Sequence, residues 1–478
     1  MGRRGHVGGA GARAPARRRR QRGGRPGDAG GLSRLHRVVR RDARGAHAPD
    51  GDGLHRRQRP RAGAAAHARG RPQVDPGPAA AGGAGAPVTT LPLYLVDPPL
   101  GPAWAPFGGA RPVAELRAGA WLLRERWERL LGCAVQAVLS DSCAGFADTG
   151  TVPVQRLEPI AGPAVVVRSD LSPSATAPMA LPPGGTRLLS GGATVGHVLD
   201  VTEVWEPDRW PEATGVVEVP GLLLRGAADL VTALETQLPA DCAAFQALGG
   251  DPPPAGTIVL GDPAAVVLRG AGVEPGVVFD VRPGPVVLDG AAEVRHGTRL
   301  EGPCWVGRGA RVLGGYVRNA IIGPMCVVRG EIAASVFVGY ANKSHDGFVG
   351  HSVIGQWANL GAGTTTSNLK NTYGEVRPTV AGSVLATGRQ FLGSLIGDHA
   401  KLAIGSMLST GTVIGTGANV FGAPVPKYVP PFAWGLDGDG LTEDGFVAIA
   451  ERVLPRRGIE VTEARRAWLR ALHRRHAA

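Results

Sequence analysis

A period of six residues in the second half of the chain constrains the fold more than any other feature. Aliphatic residues recur at every sixth position, and a small residue often follows them, as in Ile354-Gly355. The two longest runs are Leu288, Val294, Leu300, Val306, Val312 and Ile396, Leu402, Leu408, Ile414, Val420. Neither an α-helix nor a two-faced strand has this period. Six residues form one side of a triangular coil, so the repeat predicts a left-handed parallel β-helix over 256–426, with the aliphatic residues inside the prism.

The preceding part of the chain, residues 88–255, predicts an α/β domain. Short apolar runs suit strands, and the apolar residues between them recur at spacings of three and four, as on a helix that Gly132 ends. We predict strands over 91–96 and 133–140 and helices over 112–131 and 227–238. After the repeat, residues 427–478 predict a short C-terminal helical segment, with helices over 442–453 and 462–476. Breaks in the six-residue register predict loops at 280–287, 313–321, 329–347 and 367–395.

Residues 1–87 carry the excess positive charge of the chain. They hold 20 of the 52 Lys and Arg residues and 5 of the 40 Asp and Glu residues, which leaves 32 basic and 35 acidic residues elsewhere. The segment has no Ile, Phe, Trp or Tyr, so it cannot bury enough apolar surface to offset its chain entropy. It is interpreted as a disordered leader, as sequence upstream of a true start near Val88, or as an Arg/Gly-rich tail that binds RNA or phosphates. The near-neutral remainder argues against a nucleic-acid partner.

The five cysteines form no CxxC pair, which indicates buried thiols in a reducing compartment and therefore a cytoplasmic protein. No run of eighteen apolar residues is present, so neither a transmembrane helix nor a membrane partner is expected. The segment 1–87 also lacks the apolar core of a signal peptide.

Residues 329–377 concentrate His, Asn, Lys and Thr within otherwise plain repeats, which marks them as the candidate functional segment. Loops on a rigid scaffold often carry functional side chains. His345 is the first candidate for a general base, because a neutral imidazole can accept a proton near pH 7. His351 is the alternative base, or only a residue at a coil corner. The Asn and Thr residues of 359–368 belong to the site or form only a hydrogen-bonding ladder.

Two phrases in this segment, NKSHDGFVGHS and NLGAGTTTSNLKNTYG, resemble the acetyltransferase half of a bacterial family of bifunctional enzymes. These enzymes are glucosamine-1-phosphate acetyltransferases and N-acetylglucosamine-1-phosphate uridylyltransferases. The stretch RPVAELRAGAWLLRERWE at 111–128 resembles the N-terminal domain of the family's divergent branch. The resemblance covers roughly residues 91–475 and is strongest over 300–425. It implies a nucleotidyltransferase-like N-terminal fold and a homotrimer with sites between neighbouring prisms.

The resemblance implies acetyl transfer from acetyl-CoA to an amino-sugar 1-phosphate such as glucosamine-1-phosphate. The family's catalytic His lies fourteen residues before the Asn of an N-[IL]-G-A-G motif, as His345 lies before Asn359. Ala362 then corresponds to the contact with acyl-CoA. The substrate contacts that the resemblance implies are Arg329, Glu331, Lys343, Asn359, Asn368 and Lys370. The sequence departs from the family at two positions, with Phe348 for a Tyr and Ala333 for a phosphate-binding Lys; both concern the contacts to the substrate and leave the reaction class unchanged.

The resemblance also implies nucleotidyl transfer that makes a UDP-sugar from UTP, or from another nucleoside triphosphate, with Mg²⁺. The chain lacks a G-x-G-T-R phosphate loop after its first strand. In its place, Gly108 and Gly109 could allow close approach of a phosphate. Arg111 and Arg117 are the candidate charge partners, or else solvated residues at the start of a helix. Asp97 is the candidate Mg²⁺ ligand.

Two further functions stay open on the sequence. A γ-type carbonic anhydrase is also a left-handed β-helix and binds its metal through three His ligands. His345, His351 and His399 are available, although their spacing does not match that family's pattern. The other possibility is a non-catalytic scaffold whose β-helix only trimerises the chain. Metal analysis and an assay with acetyl-CoA and sugar phosphates discriminate among the three functions.

Overall fold

A seven-stranded mixed sheet begins the part of the chain that the computed structural model describes, residues 91–174 and 177–476. The segment 1–87, with the start near Val88, lies outside these residues. The strands are β1 (Leu93–Val96), β2 (Val135–Leu139), β3 (Val154–Gln155), β4 (Ala164–Arg168), β5 (Thr186–Ser190), β6 (Ala193–Leu199) and β7 (Gly215–Glu218). Their order across the sheet is β7-β5-β6-β4-β1-β2-β3. Because β1 pairs in parallel with both β2 and β4, its carboxyl end lies in the middle of one sheet edge.

The helix predicted over 112–131 is present only in its second half. Gly119 turns the chain at φ +65°, and a Cβ there would lie 2.0 Å from a carboxylate oxygen of Asp241. The regularly spaced apolar residues of 112–122 are therefore buried in a turn and a hairpin, and not along one face of a helix. The observed elements are a 3-10 turn (Val113–Glu115), a hairpin (Arg117–Ala118 with Trp121–Leu122) and α1 (Leu123–Leu131), which ends at Gly132 as predicted.

The parallel β-helix that the six-residue repeat predicts is confirmed. The aliphatic residues of both long runs are buried and form one continuous core inside the prism. Its strands are Ile258–Leu260, Val266–Leu268, Gly272–Val273, Val278–Asp280, Val286–Leu288, Glu293–Val294, Thr298–Val306, Arg311–Ile322, Val327–Ala333, Val336–Phe337, Asn342–Lys343, Phe348–Gly350, Val353–Ile354, Asn359–Leu360, Leu395–Ile396, Lys401–Leu402, Val413–Ile414, Asn419–Val420 and Tyr428–Val429. A further parallel pair joins Thr365–Thr366 to Met407–Leu408.

The register breaks have different outcomes. The excursion at 367–395 leaves the prism as predicted and carries a hairpin of Thr379–Val380 with Ser383–Val384. The loop predicted over 313–321 is wrong, because this segment lies inside the continuous strand Arg311–Ile322. Two glycines at 314 and 315, with φ of +130° and +97°, let the strand bend around a corner without leaving the prism.

The helix α2 (Asp229–Ala247) lies across one face of the prism and joins the sheet domain to it. The helix predicted over 227–238 is therefore confirmed and continues to Ala247. Its buried Leu230, Leu234 and Leu238 share one core with outward apolar side chains of successive coils. Those coil residues are Val267, Val287, Trp305, Ile321 and Val336.

One edge of the prism, here called the aromatic corner, carries bulky residues in the left-handed backbone conformation. Tyr340, Trp357, His399 and Phe432 have φ of 53°, 61°, 61° and 56°. The ring centroids of Tyr340 and Trp357 are 4.4 Å apart, and those of Trp357 and His399 are 6.3 Å apart. Gly417 occupies the corner between His399 and Phe432, and the rings at this edge form a ladder against which the C-terminal helices pack.

The two helices predicted in the C-terminal segment are confirmed as α3 (Glu443–Val453) and α4 (Glu463–His476). In α3, Phe446 packs edge-on against Phe432 with centroids 4.9 Å apart. In α4, Trp468 packs edge-on against Phe146 of the sheet domain with centroids 5.2 Å apart. Within the described ranges, no helix is long and apolar enough to cross a membrane.

Candidate active site

A second edge of the prism, the glycine corner, consists of Gly330, Gly347, Gly363 and Gly405, all with positive φ. At Gly347, φ is +132°, and a Cβ would lie 2.2 Å from the carbonyl oxygen of Thr364. Only glycine fits such a position. Gly363 and Gly405 are exposed, so the backbone itself forms the surface at this edge.

A pocket of about 540 Å³ lies beside the glycine corner, and the loop 344–347 lines part of it. The exposed imidazole of His345 lies at its rim, and the pocket brings this residue together with Arg329 and Ala362. Three of the residues predicted for acyl transfer therefore share one surface. The complete lining is Arg329, Ser344, His345, Asp346, Gly347, Ala362, Gly363 and Thr365.

Lys343 points into the prism and supports the loop from inside. It is completely buried, and its ammonium group donates hydrogen bonds to the carbonyl oxygens of His345 and Asp346. Burial lowers the pKa of Lys343 to about 8. The expectation that Lys343 contacts the substrate is therefore wrong, because its ammonium group is buried and hydrogen-bonded to backbone carbonyl oxygens. The sequence contains the signal, since Phe337, Lys343 and Val349 are six residues apart and all point inwards.

Arg329 forms an exposed ion pair with Asp346, in which Nε lies 3.0 Å from the carboxylate. A second N–H donates to the carbonyl oxygen of Leu313 at 3.3 Å. The guanidinium thus stands at the entrance of the pocket, where it partly neutralises Asp346.

Asn359 belongs to a short ladder of amides on the adjoining face of the prism. Asn342 donates to the side-chain oxygen of Asn359 at 2.8 Å and lies 3.4 Å from the hydroxyl of Ser344. Asn359 therefore belongs to a hydrogen-bonding ladder and also lies close to the site, because the amides connect to Ser344, the first residue of the His345 loop.

Asn368 lies at the opposite end of strand Phe348–Gly350, near a third corner of the prism. Its amide donates to Nδ1 of His351 at 2.8 Å. The His351 ring stacks on Phe391 with centroids 5.2 Å apart, and its Nε2 lies 4.0 Å from Glu235 of α2. Burial lowers the pKa of His351. This histidine is held by neighbours on several sides, whereas His345 faces the open pocket.

The two remaining predicted substrate residues lie outside the pocket. Glu331 is exposed on the strand beside Phe348, with which it is in register. Lys370 lies in the 367–395 excursion, where its ammonium group donates to the carbonyl oxygen of Glu375 at 2.9 Å.

Asp97 lies at the carboxyl end of β1. The strand that follows β1 in the chain, β2, lies on one side of it, and the later strand β4 lies on the other side, so this position is a topological switch point. Open α/β sheets bind ligands at such switch points. The carboxylate accepts hydrogen bonds from the Ser169 hydroxyl at 2.6 Å and from the Val113 N–H at 3.2 Å. Burial raises the pKa of Asp97 to about 6.

These surroundings do not fit a resident Mg²⁺ ion. The Ser169 hydroxyl and the Val113 N–H already occupy the carboxylate of Asp97, and the residue is only 6% exposed. Among residues 91–174 and 177–476, no group of three or more His, Cys, Asp or Glu could hold a metal ion. The metal role of Asp97 is not carried further.

The two arginines predicted to bind nucleotide are buried and have protein partners. Arg111 is 2% exposed, and it pairs with Asp398 of the β-helix at 2.8 Å and with Asp148 at 3.1 Å. Arg117 donates to a backbone carbonyl of its own hairpin and lies 4.8 Å from the centroid of the Trp305 ring. Neither guanidinium reaches solvent, so the expectation that they bind a triphosphate is corrected. The sequence shows the charges but not the distant Asp398 that engages one of them.

Gly108 and Gly109 form part of the turn that follows β1. Gly109 has φ +74°, and a Cβ there would lie 3.5 Å from Nε2 of His476 at the end of α4. The C-terminal helix therefore covers the turn in which phosphate binding is predicted.

The three histidines considered for a carbonic anhydrase centre have separate surroundings. His345 lines the pocket, His351 bonds to Asn368, and His399 belongs to the aromatic corner. Burial lowers the pKa of His399 well below its ordinary value. No described residue set assembles these rings around a common point.

A family model described as sugar nucleotidyl transferase matches residues 93–247, the span from β1 to the end of α2. The chain thus combines a nucleotidyltransferase-like domain with a long parallel β-helix.

Three curated proteins are similar to parts of the chain. The bifunctional sugar-1-phosphate nucleotidylyltransferase/acetyltransferase of Sulfurisphaera tokodaii is 36% identical over 100 residues, which is 21% of this chain and 25% of that protein. The bifunctional protein GlmU of Jannaschia sp. is 35% identical over 109 residues, 21% of this chain and 22% of that protein. The bifunctional protein GlmU of Methanococcus vannielii is 30% identical over 111 residues, 20% of this chain and 27% of that protein. The matched part thus covers about a quarter of each relative.

Proposed function

We propose that the chain is an acyltransferase that moves an acetyl group from acetyl-CoA to the amine of a sugar 1-phosphate, with His345 as general base. The single observation that carries the proposal is the open pocket that His345 lines together with Gly347 and Gly363 of the glycine corner. The base can accept the proton of the attacking amine. The backbone surface without side chains lets the narrow thioester approach closely. The similarity to the nucleotidylyltransferase/acetyltransferase of Sulfurisphaera tokodaii supports this reaction class.

The reaction follows from these groups. The amine nitrogen attacks the thioester carbon, and an N–C bond forms. His345 accepts the proton that the amine loses, the C–S bond breaks, and CoA leaves as the thiol once the proton is returned to sulfur. We place the acyl chain along Ala362 and Gly363, and the sugar between the pocket and the strand that carries Glu331. Asn359, through its ladder, and Lys343, through the carbonyl oxygens of the loop, position His345.

Nucleotidyl transfer is a second candidate activity, favoured by the sugar nucleotidyl transferase match over 93–247. We propose UTP with Mg²⁺ as its substrate and a UDP-sugar as its product, bound near the switch point at the carboxyl end of β1. Glucosamine-1-phosphate is the acceptor we propose for the first activity. All five cysteines are buried, which suits a reducing compartment, and we place both reactions in the cytoplasm.

We further propose that the protein is a homotrimer whose neighbouring copies complete the pocket. Thr365 of the lining is in register with Met407, and Met407 and Ile404 are 69% and 79% exposed. Exposed apolar side chains beside an open pocket suit a neighbouring copy of the chain. Ile404→Glu with Met407→Glu is expected to give a monomer by sedimentation velocity, with loss of CoA release. A parent protein that is monomeric and fully active would contradict this assembly.

The test of the main proposal is an assay with the full chain, glucosamine-1-phosphate, acetyl-CoA, UTP and Mg²⁺. Chromatography follows free CoA and pyrophosphate separately. We expect His345→Ala to lower CoA release by roughly 10²–10⁴-fold, the range for a general base. His296→Ala, which changes an exposed histidine three coils away from the His345 loop, is the matched control and should release CoA at the parental rate.

Two results would overturn the proposal. One is a parent protein that releases no CoA with any amino-sugar 1-phosphate, and the other is a His345→Ala variant that releases CoA at the parental rate. Pyrophosphate release decides the second activity independently, because it does not depend on His345.

A further inference from the structure

The last three residues of α4, 474–476, contact both loops that follow β1 and β2, and we call them the α4 end. The loop after β1 includes residues 106–111, and the loop after β2 includes residues 140–146. Arg475 donates to two carbonyl oxygens of the second loop, one of them at 3.3 Å, and His476 lies against the first loop. Since β1 and β2 are parallel, both loops leave the same edge of the sheet. The α4 end therefore bridges the crevice where an open α/β sheet binds its ligand.

The contact between the α4 end and the first loop leaves polar groups without partners. Nε2 of His476 is buried and has no hydrogen-bond partner among the described residues. In this part of the chain, Gly109 is also the one residue of 107–111 whose N–H donates no hydrogen bond. The other N–H groups of the loop donate to the carbonyl oxygens of Trp104 and Phe107. A polar group shielded from water without a partner costs free energy, so this contact favours closure only weakly.

The α4 end is held less firmly than the rest of its helix. Trp468 and Leu472 are 5% and 1% exposed and belong to the core of the sheet domain. His473 is also buried, and its Nε2 lies 2.6 Å from a backbone carbonyl oxygen. Beyond it, Arg475 is exposed and His476 is half-buried. The last residues of a helix open at a lower free energy than its packed part, so the α4 end can move while the core stays intact.

The closed crevice has no room for a nucleotide. A cavity of about 20 Å³ lies where the two loops meet α4, and its lining includes Arg111, Phe146 and Trp468. This volume holds one water molecule. Arg111, the cation of this cavity from the first loop, is paired with Asp398 and Asp148. A triphosphate can enter here only if the α4 end moves away.

We infer that the α4 end is an autoinhibitory lid on the nucleotide site of the sheet domain. The inference rests on the proposed nucleotidyl transfer and adds its regulation. In the closed state the lid covers Gly109, and a nucleoside triphosphate binds the open state alone. The apparent affinity for the nucleotide is then reduced by the fraction of molecules that are open. When the lid is displaced, the N–H of Gly109 becomes available to a phosphate oxygen, and Nε2 of His476 becomes available to water.

The experiment weakens the lid without shortening the chain. The double variant Arg475→Ala/His476→Ala removes both contacts of the α4 end with the loops. Arg474→Ala is the matched control, because this neighbouring arginine pairs with Glu443 at 2.8 Å and contacts neither loop. Hydrogen exchange measured by mass spectrometry reports whether the lid is open. We expect faster exchange in peptides that cover 106–111 and 140–146 for the double variant, and parental exchange for the control.

Calorimetric titration with UTP and Mg²⁺ then measures nucleotide binding. We expect the Kd of the double variant to be roughly 3- to 10-fold lower than that of the parent, because more molecules are open. Pyrophosphate release at limiting UTP should rise by a similar factor. CoA release with glucosamine-1-phosphate should stay at the parental rate, since the α4 end is separate from the His345 pocket.

Four results would overturn the lid: exchange at the parental rate in the double variant, unchanged or weaker UTP binding by it, no UTP binding by any of the proteins, or an equal gain in Arg474→Ala. Weaker binding would mean that the α4 end forms part of the site instead of closing it. Tighter UTP binding by the double variant without any pyrophosphate release supports the lid and counts against the proposed nucleotidyl transfer alone.

Discussion

The aromatic corner and the glycine corner are edges of the same prism with the same left-handed backbone, but they carry opposite side chains. At the aromatic corner, Tyr340 and Trp357 adopt a conformation that costs a non-glycine residue about 1–2 kcal/mol. Stacked and buried rings offset this cost, and the C-terminal helices cover them. At the glycine corner, Gly347 and Gly363 adopt positive φ without a side chain, and a pocket lies beside the backbone.

The side chains, rather than the backbone path, therefore decide which edge of this β-helix is structural and which is available to a ligand. The ring ladder serves packing between domains. The glycine edge leaves a surface that a flat or narrow substrate can approach. Four substitutions test whether the two edges are as separate as this comparison suggests.

The largest effect is expected at the aromatic corner. Trp357 is 4% exposed and its ring lies between those of Tyr340 and His399. Trp357→Ala should lower the free energy of unfolding by about 3–5 kcal/mol, the range for removal of a large buried aromatic side chain. Urea unfolding gives this value. CoA release per folded molecule should stay at the parental rate, and a loss of activity in a variant that keeps its stability would show that the corners are coupled.

The next effect concerns Gly347 at the other edge. Gly347→Ala forces a side chain into φ +132° and towards the Thr364 carbonyl oxygen, so we expect a cost of about 1–3 kcal/mol and a displaced His345 loop. CoA release should fall by more than tenfold. Gly297→Ala is the control, because this glycine has φ +76° and no atom lies within 4 Å of a Cβ there. If both variants lose stability and activity equally, the tight packing at Gly347 is not what shapes the loop.

A smaller effect, visible as a dependence on pH, is expected for Lys343→Met. The pKa of Lys343 falls to about 8 in the folded chain from its ordinary 10.5, so the unfolded chain binds more protons between these values. The free energy of unfolding of the parent, minus that of the variant, should therefore be constant below pH 8 and rise between about pH 8 and 10.5. Lys401 also has a pKa of about 8, but it is present in both proteins and cancels. A difference that falls with pH would mean that the ammonium group is not buried.

The smallest effect is expected for the ion pair at the pocket entrance. Arg329 and Asp346 are 46% and 78% exposed, so Arg329→Met should change the free energy of unfolding by at most about 1 kcal/mol. The effect should decrease further as salt is added. Asp346→Asn is the matched partner variant and should behave alike. A loss of several kcal/mol in either variant would make this edge structural as well.

Much of the fold could be predicted because a coil of the prism is encoded locally. Leu300 and Val306 point inwards through a six-residue period that needs no information about distant residues. The same local pattern could have placed Lys343 inside, but its charge favoured a surface position. Its burial depends on loop carbonyl oxygens that become visible only when the chain closes around them.

The parts that could not be predicted depend on distant partners. The hairpin in place of the first half of a helix requires Asp241, which lies 121 residues from the Ala120 N–H that it accepts. The burial of Arg111 requires Asp398, 287 residues away. A single sequence shows these charges but not their pairing. His345, in contrast, could be proposed from its local motif, because the fourteen-residue spacing to Asn359 needs no distant partner.

The position of α2 has a consequence for how the β-helix unfolds. A stack of coils in which each touches only its neighbours behaves as a one-dimensional chain and can fray from its ends. With 19 residues, α2 is about 28 Å long, enough to span five or six coils at about 4.8 Å each. The coils from Val267 to Val336 are thereby joined by one continuous rod. They gain or lose their outer packing together, so this stretch should melt as a single cooperative block, with any independent fraying confined to the coils beyond the helix.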